Sequence, residues 1–78
     1  MGNFRPLPTA CWIKFLEYNG FRYKRSAASH DHWTKKGCIR TITLRSGDKD
    51  IPPIHMQTSC KTIGITLKEV YAWADENC

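Results

Sequence analysis

The apolar positions along this chain change period several times, and each change marks an element. Pro6 and Pro8 hold the first residues extended, and Thr9 stands where an N-cap is wanted. Over residues 10–19 the spacing is helical. Ile13 and Leu16 share a face, Trp12 and Phe15 flank it, and Lys14 and Glu17 point away. Gly20 supplies a left-handed stop. Beyond it the period falls to two: Phe21 and Tyr23 alternate with Arg22 and Lys24, which describes a half-buried strand. Residues 30–35, HDHWTK, continue the alternation on a second strand. His30, His32 and Thr34 fall on one face, Asp31 and Trp33 on the other. Lys36-Gly37 reads as a tight turn. Residues 38–45, CIRTITLR, read as a third strand rich in β-branched side chains, ended by Ser46-Gly47-Asp48.

Residues 50–63, DIPPIHMQTSCKTI, fit neither period. Pro52-Pro53 excludes a central strand and a helix interior, so an ordered excursion is expected here. Thr66 followed three residues later by Glu69 is a capping box, and it opens a last helix with Leu67, Val70, Tyr71 and Ala74 as its apolar stripe. The predicted class is α+β: a helix, three antiparallel strands and a helix. Both helices cover one face of the sheet and leave the other open.

Seventy-eight residues bound this to a single domain, 1–78, whose large apolar side chains are mostly needed for the core. A hydrophobic content of 41% with 24% charged residues is that of a soluble globular domain rather than a disordered tail. No apolar run approaches the ~20 residues of a membrane helix, and no membrane partner is expected. The N-terminus lacks a basic region followed by an apolar stretch, so no secretory signal is read. MGNFRP is discounted as a myristoylation site because position 6 is Pro. The expected compartment is therefore the cytoplasm, with Cys11, Cys38, Cys60 and Cys78 as free thiols; two disulfides in a secreted fragment are the alternative.

Charge is unevenly spread. Residues 14–45 hold Lys14, Arg22, Lys24, Arg25, Lys35, Lys36, Arg40 and Arg45 against only Glu17 and Asp31. Such a basic half suggests a polyanionic partner, nucleic acid or an acidic protein; a solvated face kept soluble by charge has the same composition.

Several blocks, taken in order, resemble the HicA (YcfA-like) toxins of bacterial toxin–antitoxin pairs. FLEYNGFRYKR resembles that family's first helix and Gly-Phe strand start, and SAASHDHW its Gly-Ser-His element, with Ser29 and His30 in place. GDKDI resembles the Gly-Asn-Lys-Glu-Leu segment after the third strand, and GITLKEV the start of the last helix. The chain departs from the pattern at Ala28, where the family usually has Gly, and at Leu44 and Ser46, where many members have Pro and a second His. Residues 52–63 read as an insertion before the last helix, and Ile65 intrudes between Gly64 and Thr66. The resemblance implies a fold like the double-stranded-RNA-binding domain, α-β-β-β-α. It implies a small ribonuclease that cleaves mRNA and arrests growth through the histidine at position 30. It also implies a HicB-like antitoxin protein that blocks the site.

The chemistry is consistent with that implication. Cleaving RNA without a metal or other cofactor needs a group to take the 2′-hydroxyl proton and one to protonate the leaving oxygen, and imidazole serves both near neutral pH. His30 is the catalytic candidate, with His32 about 6–7 Å along the same strand face as support. Arg22 and Lys24 are placed on that face to hold the phosphate, and Arg25, Ser29, Lys35, Lys36 and Arg40 complete the expected RNA-binding set. By pattern alone two exposed strand histidines are better explained as inert; the Ser29-His30 match reverses that for His30. A zinc set of His30, His32, His55 and Cys38 or Cys60 is the rival use of these atoms, but its spacing is not that of a finger. His55 is assigned to a loop without a chemical role. Trp12, Trp33, Trp73, Phe21 and Tyr23 can stack on bases, yet a domain this small needs them in its core. Two other readings stay open: a non-catalytic RNA-binding module of the same fold, separated by turnover, and a protein-interaction domain with an acidic partner, separated by RNA affinity at low salt.

Overall fold

The computed structural model describes residues 4–45 and 47–78. The expected strand end at Ser46 and the motif at residues 1–3 lie outside the described residues.

Leu7–Pro8 (β1) is extended and pairs antiparallel with Asp50–Ile51 (β5). The helix Thr9–Tyr18 (α1) follows at once. Thr9 is not its cap: Pro8 holds that position with no side-chain cap, and the Thr9 hydroxyl instead donates to the Asp48 carbonyl at 2.6 Å. The expected stop is built in full. Gly20, at φ +88°, donates to Glu17 O, and Phe21 N–H reaches back to Leu16 O at 2.9 Å. This double bond pattern needs a left-handed residue at position 20. The buried stripe of α1 is Cys11, Trp12, Phe15 and Leu16, with Ile13 only half-buried. It is thus rotated from the expected face toward the larger aromatic rings.

Arg22–Ala27 (β2), His30–Thr34 (β3) and Ile42–Arg45 (β4) form an antiparallel sheet in the order β2-β3-β4. Two features of the pattern are corrected. β2 is exposed almost throughout, and Tyr23 is 53% accessible because this edge strand reaches past the helices; Phe21, just before it, is the buried residue. The third strand begins only at Ile42, since β3 ends at Thr34 and nothing pairs with residues 38–41, however β-branched their side chains. Ile39 is fully exposed in the connecting loop.

The segment 50–63 holds the largest departure. Pro53–Ile63 is a helix (α2), capped by Pro52. A proline at the first helical position lacks only an N–H that has no partner there anyway, and its fixed φ suits the helix. The prolines that exclude a helix interior therefore begin one. The last helix, Leu67–Asn77 (α3), has the expected capping box, Thr66 N–H donating to Glu69 at 2.6 Å and Glu69 N–H to Thr66 Oγ1 at 3.3 Å. Its buried stripe is Leu67, Val70, Tyr71 and Ala74, as the sequence predicts.

One core joins Trp12, Phe15 and Leu16 of α1 to Trp33, Ile42 and Leu44 of the sheet, Met56 and Cys60 of α2, and Val70 and Tyr71 of α3. Trp33, Ile42 and Leu44 all project from one sheet face, so the helices cover that face. The face bearing His30, His32, Thr43 and Arg45 is left open. Trp12, Phe21 and Trp33 are core residues, and Trp73 packs against them; Tyr23 alone of the five aromatics is exposed.

Cys11 and Cys78 are joined by a disulfide, which corrects the expectation of free thiols at these two positions; Cys38 and Cys60 are free. Wide spacing along the chain hid a pair that the packing of α1 against α3 brings together. Among the described residues no helix is long and apolar enough to cross a membrane.

Candidate functional site

β2 and β3 are joined by a two-residue turn, Ala28-Ser29, with φ of +50° and +67°. Two left-handed residues in succession are the mark of a type I′ hairpin turn, which Asn-Gly usually makes. Ala and Ser adopt that conformation at a cost of about 1 kcal/mol each. Asn at 28 and Gly at 29 together are expected to raise unfolding stability by about 1 kcal/mol; a lower melting temperature in that variant would mean the turn is not in this conformation.

The strained turn has a local consequence. His30 Nδ1 lies 3.0 Å from the Ala28 carbonyl. A carbonyl only accepts, so Nδ1 carries the hydrogen, and in the neutral ring Nε2 keeps its lone pair. His30 is exposed, and its strand position lies opposite Ala27 on β2 and Arg45 on β4.

Register decides which cations join it. β2 and β3 slip by one residue between Tyr23 and Arg25. Arg22 stands opposite Thr34 and Arg25 opposite His32, both on the open face, while Lys24 is the extra residue of the bulge and opposes nothing. The strict alternation that paired Lys24 with Arg22 is corrected by that one residue. His32 is half-buried, with Nδ1 3.4 Å from Thr43 Oγ1. Ser29 is exposed at the turn. Lys35, Lys36 and Arg40 lie beyond the far end of β3, about 13 Å of strand from His30. There Lys35 sits over the Phe21 ring, 5.9 Å from its centroid. The expected RNA-binding set is therefore split between the open face and the opposite end of the sheet.

Sequence reasoning missed what lies beside β4. A cleft of about 570 Å³ separates that edge strand from α2. His30, Thr43 and Arg45 line it from the sheet, and His55, Thr58, Ser59 and Thr62 from the helix. His55 is thus a helix residue facing the cleft rather than a loop residue. The signal was present, because positions 55, 58, 59 and 62 follow the spacing of one helical face. It was hidden by reading Pro52-Pro53 as an interruption.

The orientation of α2 follows from a neighbouring cavity of about 250 Å³, where Thr62 meets residues 35–38. The C-terminal end of α2 therefore lies at the loop end of the sheet. His55, two turns earlier, lies at the other end with His30 and Arg45. Among the described residues, no carboxylate lines the cleft. Asp48 stands 3.9 Å from Arg45 Nε, a loose and largely exposed pair that leaves the guanidinium available.

Among the described residues, no three His, Cys, Asp or Glu side chains converge as metal ligands. Cys60, part of the proposed zinc set, is in the core, where burial, with a smaller contribution from the Glu69 carboxylate, pushes its thiol up to about 11. The set of His30, His32, His55 and a cysteine is not brought together.

No protein-family model matches this chain, and neither does any curated protein or solved structure. The functional reading rests on the residues of the cleft and the open face.

Proposed function

We propose that this chain is the toxin of a toxin–antitoxin pair, a metal-independent endoribonuclease of HicA type that cleaves mRNA with His30 as its acid–base group. The observation that carries the reading is the bond from His30 Nδ1 to the Ala28 carbonyl, which leaves Nε2 as a proton acceptor beside Arg45 at the mouth of the cleft. Held there, Nε2 takes the proton of a ribose 2′-hydroxyl and O2′ attacks the adjacent phosphorus. Arg45 offsets the charge that develops on the phosphoryl oxygens. The order α1, β2, β3, β4, α3 is compatible with the double-stranded-RNA-binding fold once α2 is set aside as an insertion, and this supports the resemblance.

Arg22 and Arg25 on the open face supply phosphate contacts beyond the cleft. Replacing both with alanine is expected to weaken binding to unrelated RNAs alike. It should also flatten the salt dependence by about one to one and a half units, because each neutralised single-strand phosphate contributes ~0.7. Filter binding across a salt series measures this, and an unchanged slope would move the footprint to Lys35, Lys36 and Arg40. The same basic face serves the second reading, a non-catalytic RNA-binding module, which binds RNA without shortening it.

The partner in this reading is a HicB-like antitoxin that covers the open face, and the place of action is the cytoplasm, where mRNA is. Cys78 is exposed, so in that compartment the Cys11–Cys78 bond meets thiol reductants.

A further inference from the structure

Proton abstraction is half of an RNA cleavage; the departing 5′-oxygen must also be protonated, and His30 cannot accept and donate in the same step. The cleft holds a second imidazole. His55 stands on the first turns of α2, exposed, across from the β4 edge and at the same end as His30 and Arg45. Arg45, at the end of β4, is the one permanent cation among the described lining residues. Of the other charged groups around α2, Lys61 and Lys68 border a separate groove, Glu69 lies beside Cys60, and Lys35 and Lys36 meet its C-terminal end at Thr62.

We propose that His55 is the general acid that works opposite His30 across this cleft, on a phosphodiester held by Arg45. The proposal rests on the ribonuclease reading above. His30 Nε2 removes the 2′-hydroxyl proton, the O2′–P bond forms, and the P–O5′ bond breaks with its electron pair passing to O5′. His55, as imidazolium, gives that oxygen its proton. The products are a 2′,3′-cyclic phosphate and a free 5′-hydroxyl, and no oxidant, metal or further reactant is consumed. Ser59 and Thr62 continue the wall beyond His55 and offer hydroxyls to sugar and phosphate oxygens of the flanking nucleotide, while the Thr58 hydroxyl donates to the Ile54 carbonyl at 3.2 Å. The substrate class is RNA rather than DNA, because the attacking group is the 2′-hydroxyl.

A general acid is needed only when the leaving group is poor. The test compares an RNA oligonucleotide with uridine 3′-(4-nitrophenyl phosphate), whose aryl oxide departs without help, in wild type, His30→Ala and His55→Ala. Alanine is a good helix former, and His55 is exposed, so α2 is retained in the variant. His55→Ala is expected to lose about 10²–10⁴-fold on RNA yet stay within several-fold of wild type on the aryl ester, whereas His30→Ala loses both. Wild-type RNA cleavage by His55→Ala, with His30→Ala inert, overturns the role of His55 alone. Equal losses of His55→Ala on both substrates also overturn it, since they mark a structural role. A wild-type protein inert toward both substrates overturns the ribonuclease reading and this inference together.

Discussion

Replacing His30 with alanine is expected to abolish RNA cleavage and growth arrest while leaving fold and RNA affinity largely intact. A general base must reach the proton it removes, and its loss typically costs about 10²–10⁴-fold in rate. The side chain is exposed and contributes nothing to the core, so the variant should melt close to wild type. Binding should persist because Arg22, Arg25 and Arg45 remain. His32→Ala should cost less, since His32 lies outside the cleft and turns toward Thr43. In this mechanism no step uses a metal, so cleavage should continue in EDTA. A cleavage assay with and without chelator, beside a gel-shift assay on each variant, reads all of this. Full activity in His30→Ala would remove the catalytic assignment, and activity lost to EDTA would restore the zinc reading.

Removing the Cys11–Cys78 bond is expected to be a large single loss of stability. The two residues are 67 apart in sequence, so the bond closes nearly the whole chain into a loop. In the chain-entropy account a crosslink over that span is worth about 4 kcal/mol. For a domain of this size the melting temperature should fall on the order of 20 °C. Cys78→Ser is the cleaner variant, because Cys78 is exposed whereas Cys11 is in the core and its loss would add a cavity. The N-terminal arm keeps a second tie in that variant: the Tyr71 hydroxyl donates to the Arg5 carbonyl at 2.6 Å, and Arg5 N–H donates to the hydroxyl at 2.8 Å. Thermal melts of wild type with and without dithiothreitol, and of Cys78→Ser, measure the effect. Equal melting in all three would show that the bond contributes nothing.

Elements governed by local chemistry were legible in the sequence. The Thr66–Glu69 box, the Gly20 stop and the alternation of His30, Asp31, His32 and Trp33 each depend on near neighbours, and each is found in the fold. What depended on distant partners was not legible. The bulge that puts Arg25 rather than Lys24 opposite His32 is a property of two strands together. The early end of pairing before Ile42 depends on where β3 stops, and the Cys11–Cys78 bond on helix packing. The site divides in the same way. His30 is singled out by its neighbour Ser29 through the family resemblance, but His55 needs α2 to be recognised and then laid against β4. The Pro52-Pro53 pair forbids a helix interior and at the same time favours a helix start, and only the packing of α2 separates the two.

The proposed ribonuclease activity of the cleft between β4 and α2 can be read from product chemistry. The most direct measurement incubates the purified wild-type protein with a defined single-stranded RNA and with the DNA of the same sequence, in EDTA, and reads product masses. The expected result is shortened RNA ending in 2′,3′-cyclic phosphate and 5′-hydroxyl, with the DNA intact. RNA that is bound yet remains full length would contradict the account and leave a binding module in its place.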